Sequence, residues 1–115
     1  MEVRIHKNFY KGLPDGFDNY CKKNYGNQTS KLIIRRINTI KAAENLAVLI
    51  KPGFPGRWHW LTGDRKDEIS ADLIHPKRLI FIPEEDSVDY IIEGNLDNKK
   101  ILGLILIEIV DTHNE

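Results

Sequence analysis

His59 stands between Trp58 and Trp60 in the run RWHWLTGDR, residues 57–65, and a second histidine, His113, follows Asp111 by two residues near the carboxyl end. An imidazole titrates near neutrality, so it can take or give a proton there, and a carboxylate can share that work. Two imidazoles and one carboxylate around a single phosphate would form a metal-free acid and base set. Arg65 in the turn after the tryptophans and Arg78 at the start of a later apolar run would clamp phosphate oxygens and balance charge built up in the transition state. Arg57 belongs with them if the run is a strand, because alternate side chains then share a face: Arg57, His59 and Leu61 on one side, Trp58 and Trp60 on the other.

The catalytic grouping depends on chain geometry. If the backbone stays extended through IEIVDTH, Asp111 and His113 point the same way, and a compact sheet can bring the end of that strand beside His59. Blander roles stand beside these. His59 can be a strand residue bonded to backbone, Asp64 and Arg65 a turn closed by a local ion pair, and Arg78 the partner of an acidic neighbour. The tryptophans fit a core better than a base-stacking platform, and Asp111 and His113 fit a solvated tail. His6 and His75 show no partner spacing and read as structural. No recognised metal-ligand motif occurs, and no cofactor is expected.

The elements that must hold these residues follow from periodicity. EVRI at residues 2–5 is compatible with a strand. A helical stretch is expected over much of residues 8–23, disturbed around LPDG and ended by Gly26, with Asn27 or Thr29 as the next N-cap. Over residues 28–43, Ile33, Ile34, Ile37 and Ile40 fall at spacings of three and four, which predicts a second helix with one apolar stripe. ENLAVLI adds a further helical turn, and KPGFPG ends it. The period then becomes two: WHWL, EISADLI and KRLIFI read as successive strands, and ILGLILIEIV as another. The acidic segment PEEDSVDYIIEGNLDNKK reads as a long hairpin excursion, paired in part. Helices set apart from a run of antiparallel strands predict an α+β fold, with helices on one sheet face and the other face left for function.

The 115 residues suit one domain, and 41% hydrophobic with 30% charged residues fits an ordered globular chain. The lone Cys21 has no internal disulfide partner and reads as a small buried apolar residue. With an amino-terminal segment that lacks a signal-peptide apolar stretch, this points to a reducing cytoplasm. The longest apolar run is about half of what a membrane-spanning helix requires, and Glu108 interrupts it. The net charge is zero, yet residues 1–66 carry thirteen Lys and Arg against five Asp and Glu, and the remainder four against twelve. A basic half is what contact with a polyanion needs.

The succession YGNQTSKLIIRRINTIKAAENL, WHWLTGDRKDEISADLIHPKRLIF and EIVDTH resembles the HigB-type branch of the RelE/ParE toxin superfamily, over residues 25–113. The motifs that carry the likeness are an R-I-x-x-(I/L)-K-A-A helix, H-x-L-x-G-D-R, H-P-x-R-L-I-F and a terminal D-x-H. The resemblance implies a RelE-like fold, with two N-terminal helices packed on a mostly antiparallel sheet of about four to five strands. It implies the toxin of a type II toxin-antitoxin system: a metal-independent endoribonuclease that enters the ribosomal A site and cuts mRNA by attack of a ribose 2′-hydroxyl on the adjacent phosphate. By motif, His59, Asp111 and His113 correspond to the catalytic groups and Arg78 to the arginine opening R-L-I-F, with base and acid unassigned among the three. Thr112 stands where the family commonly has a tyrosine able to stack on a base, and Thr62 where a lysine is frequent. The implied partners are a cognate helix-turn-helix antitoxin, contacted by the helix surface of residues 31–41, the ribosome and mRNA, with a monomeric chain when alone. Two alternatives remain open: a non-enzymatic inhibitor of DNA gyrase, as in the ParE branch, and a degenerate toxin that only binds its antitoxin.

Overall fold

The computed structural model describes residues 1–6, 16–84 and 95–111 together with 91–92, and at 91–92 and 95–96 the backbone alone. Strand β1 (Glu2–Ile5) precedes the long helix α1 (Phe17–Ala42) and a single helical turn, α2 (Leu46–Leu49). Strands β2 (His59–Trp60), β3 (Ile69–Asp72) and β4 (Lys77–Pro83) follow, then the short pair β5 (Ile91–Ile92) and β6 (Asn95–Leu96), and finally β7 (Gly103–Asp111). Five strands form one sheet in the order β1-β7-β4-β3-β2. β1 runs parallel to β7 and the other neighbours are antiparallel, so the sheet is mixed and the fold is α+β.

The helical region consists of two helical stretches that meet at a kink at Gly26, where the first was expected to end. α1 is one element interrupted at Gly26, whose φ of 83° and ψ of 169° lie in a region that only glycine enters readily. Ile33, Ile37 and Ile40 are buried and Ile34 is half-buried, as their spacing requires. Asn45 caps α2 by accepting from the Ala47 backbone N–H at 3.0 Å. Residues 7–15, which include most of the N-terminal part of the expected first helix, lie outside the described residues.

α1 and α2 cover one face of the sheet. Trp58, Ile69, Ala71, Leu79, Phe81, Leu104 and Leu106 join Ile33, Ile37, Ile40 and Leu46 in one cluster, each large side chain contributing about 1.5–3 kcal/mol by burial. The Trp58 and Phe81 rings stack with centroids 5.7 Å apart. No helix of the described residues is long and apolar enough to cross a membrane.

One irregularity governs which side chains reach the other face. Across β4 and β7, Phe81 pairs with Leu106 but Ile80 pairs with Glu108, so Ile107 is an extra residue in β7, a β-bulge. Leu106 and Ile109 therefore both face the helices, opposite Phe81 and Leu79, and Glu108 turns outward with Ile80. In an unbulged strand Glu108 would point into the core and Asp111 outward; the added residue reverses both.

Candidate functional site

The sheet face away from α1 gathers most of the cationic candidates. His59 in β2 pairs with Ser70, Ser70 with Ile80 and Ile80 with Glu108, and cross-strand partners share a face, so these four form one outward row. Asp72 and Arg78 form the next row, toward the β3–β4 turn. Trp58 is buried in the core and Trp60 packs against it, as alternation requires of His59's neighbours.

His59 is half-buried, and its Nδ1 lies 2.6 Å from the carbonyl oxygen of Arg57. A carbonyl can only accept, so Nδ1 carries the proton. In the neutral ring the basic lone pair is then on Nε2, the arrangement a general base requires. Arg57 adopts a positive φ of 48°, and its exposed guanidinium reaches the Asp72 carboxylate at 3.6 Å. The backbone here is held by Gly56, whose carbonyl accepts from the Asp72 N–H at 2.7 Å. At Gly56 the φ is 110°, and a Cβ would come within 2.7 Å of the Trp58 indole nitrogen.

Arg65 sits in a 3₁₀ turn, Gly63–Arg65, and its ion-pair partner is not the adjacent Asp64. It donates to Glu68 at 2.6 Å and to Glu108 at 2.7 Å, which holds its pKa above the ordinary value, the Glu108 bond contributing most. Because Glu68 precedes β3 and Glu108 lies on β7, with β4 between those strands, the guanidinium spans the middle of the outer face. Near it Ser70 and Ile80 are fully buried, and the Ser70 hydroxyl finds no hydrogen-bond partner among the described residues. Arg36, on α1, bonds the Asp72 carbonyl at 3.0 Å, and its burial lowers its pKa.

His59 and Arg78 thus share one face by alternation along their strands, and Arg57 and Arg65 reach it from the turns through Asp72 and Glu108. Asp111 does not join them. It pairs with Lys77 on β4, shares a face with Ile109 and Leu79, and stands three strands from β2, about 14 Å by strand spacing. The expected approach of Asp111 to His59 is therefore not made: the strand order sets the distance, and the bulge at Ile107 sets the face. Thr112 and His113 lie outside the described residues. Reading the sequence missed Glu68, Ser70, Asp72 and Glu108. The alternation in EISAD carried a signal for the first three, and the bulge concealed the fourth.

Cys21 is fully buried, and burial, followed by the charge of Asp18, pushes its thiol up to about 11, far from a reactive thiolate. Among the described residues no group of three or more His, Cys, Asp and Glu side chains is placed to hold a metal ion. Chemically, the outer face offers one imidazole with a defined basic nitrogen and three guanidinium groups, of which Arg65 is paired with Glu68 and Glu108 and Arg57 with Asp72, so an anionic ester would compete with carboxylates for both. Compared with protein-family models, with curated proteins and with solved structures, the chain matches none.

Proposed function

We propose that this chain is the toxin of a type II toxin-antitoxin system, a metal-independent endoribonuclease that cuts mRNA in the ribosomal A site and is restrained by a helix-turn-helix antitoxin. The observation that carries the reading is the placement of the half-buried His59 on the sheet face away from α1 with Arg57, Arg65 and Arg78. The sequence likeness to HigB-type toxins, with their RelE-like fold, supports the same reading through motifs that include these residues. In the reaction His59 Nε2 takes the proton of the ribose 2′-hydroxyl as its oxygen attacks phosphorus, and the P–O5′ bond breaks to leave a 2′,3′-cyclic phosphate. The leaving oxygen takes a proton from a group left unassigned here. Arg65 and Arg78 balance the charge on the equatorial oxygens.

The placement of Asp111 on the opposite face favours a second reading, in which the chain binds without cutting, as a gyrase inhibitor or as an antitoxin partner alone. Expressing the chain in bacteria beside a His59→Ala form, and mapping message ends, separates the two. The ribonuclease reading expects growth arrest and new message ends from the parent chain only. Equal arrest by both forms, or broken DNA with intact messages, would contradict it.

A further inference from the structure

We propose that the hollow beside the β3–β4 turn is a second phosphate subsite, taking the phosphate of single-stranded RNA one linkage away from the one beside His59. The identity of the strand rests on the ribonuclease reading; the anion site itself rests on geometry. The hollow has a volume of about 380 Å³, and Arg57, His75, Lys77 and Arg78 line it. Three of its lining residues, Arg57, Lys77 and Arg78, carry positive side chains against one carboxylate, Asp72, which Arg57 approaches at 3.6 Å.

Three features favour a nucleic-acid phosphate over a small free anion. The hollow is open rather than enclosed, so a continuing chain can enter and leave. Leu73 and Pro76 give it an apolar wall on which a ribose can rest, and the imidazole of His75 is its one aromatic ring among the described residues. It also adjoins His59, because the Arg57 carbonyl that orients the imidazole belongs to a residue whose side chain lines the hollow. Asp72 lies two residues beyond Ser70, the cross-strand partner of His59, which is about 7 Å of extended strand. That is the scale of one step between neighbouring phosphates along an extended single strand. His75, read from the sequence as structural, lines the same hollow as Arg57 and Arg78.

The test is direct binding, with no cleavage involved. A 2′-O-methyl dinucleotide carrying only its internal phosphate is compared with the same dinucleotide bearing one extra phosphate at its 5′ or 3′ end, by calorimetry at low salt. One of the two extended probes should bind about tenfold more tightly than the parent, the gain expected of hydrogen bonds from charged donors. That gain should disappear in the H75Q/K77Q double variant while the parent dinucleotide binds as before, which shows that the variant remains folded and the His59 site intact. Equal binding of all three probes, no measurable binding of any, or a gain that survives the double variant would overturn the subsite. A chain that shows the gain but never cuts ribosome-bound message would contradict the ribonuclease reading and leave the subsite standing.

Discussion

At the scale of single residues, the hydrogen bond from His59 Nδ1 to the Arg57 carbonyl separates position from chemistry. An asparagine at 59 can reproduce that donation and has no basic nitrogen. His59→Asn should therefore leave the unfolding midpoint nearly unchanged and lower the cleavage rate about 10²–10⁴-fold, the usual contribution of a general base; a rate within a few-fold of the parent would exclude the imidazole from the reaction. Ser70 makes a contrasting case. Its hydroxyl is buried beside His59 with no described partner, and an unmet buried polar group costs about 1–3 kcal/mol. Ser70→Ala should be neutral or stabilising by about 1 kcal/mol in urea unfolding, whereas a loss of stability would mean that the hydroxyl has a partner in solution. His59 and Arg78 were legible in the sequence because alternation puts them on the polar side of a strand, whereas Arg57 and Arg65 reach that face from turns. Ser70 was not, because only register makes it a neighbour of His59.

At the scale of elements, the strands of residues 69–72, 77–83 and 103–111 were readable from period and apolar content, and so was the stripe of isoleucines on α1. The bulge was not. One added residue in β7 leaves no mark in a run as uniform as ILGLILIEIV, yet it decides that Glu108 rather than Ile107 stands opposite Ile80 and reaches Arg65. That contact gives the clamp arginine a competitor inside its own fold. Substituting Glu108→Gln weakens the hold on Arg65 and should strengthen RNA binding several-fold, with a slight loss of stability, measured by titration with a non-cleavable oligonucleotide. If binding is unchanged and only stability falls, Arg65 serves as a buckle across the sheet and not as a phosphate clamp. Gly56→Ala tests how the loop before β2 positions Arg57. The positive φ and the approach of a Cβ to the Trp58 and Arg36 side chains should cost about 1–3 kcal/mol of stability and shift the His59 ring resonances, while an undisturbed imidazole spectrum would show that the loop does not set its orientation.

At the scale of the whole molecule, the division into a basic first half and an acidic second half dissolves on folding. β1 and β7, from opposite ends of the chain, lie side by side, and Arg65 bonds Glu108, so the basic and acidic residues of the two halves are interleaved across the sheet. Stability should also carry a mark of the packed α1. Burial raises the Cys21 thiol from 9.0 to about 11 and, with Tyr20 beside it, the Tyr25 phenol from 10.0 to about 12. Both folded values lie above the unfolded ones, so this contribution is whole below pH 9 and is lost as pH rises through 11 and 12. Urea midpoints should fall steadily above pH 9, and less steeply in Cys21→Ala; an equal fall in both would exclude the thiol as a cause. The central claim, that the face bearing His59 cuts RNA, is tested most directly by incubating purified chain with programmed ribosomes and identifying the chemistry of any new message ends. The account predicts fragments ending in 2′,3′-cyclic phosphate from the parent chain and none from His59→Asn. Intact message with both chains, or the same fragments from both, would contradict it.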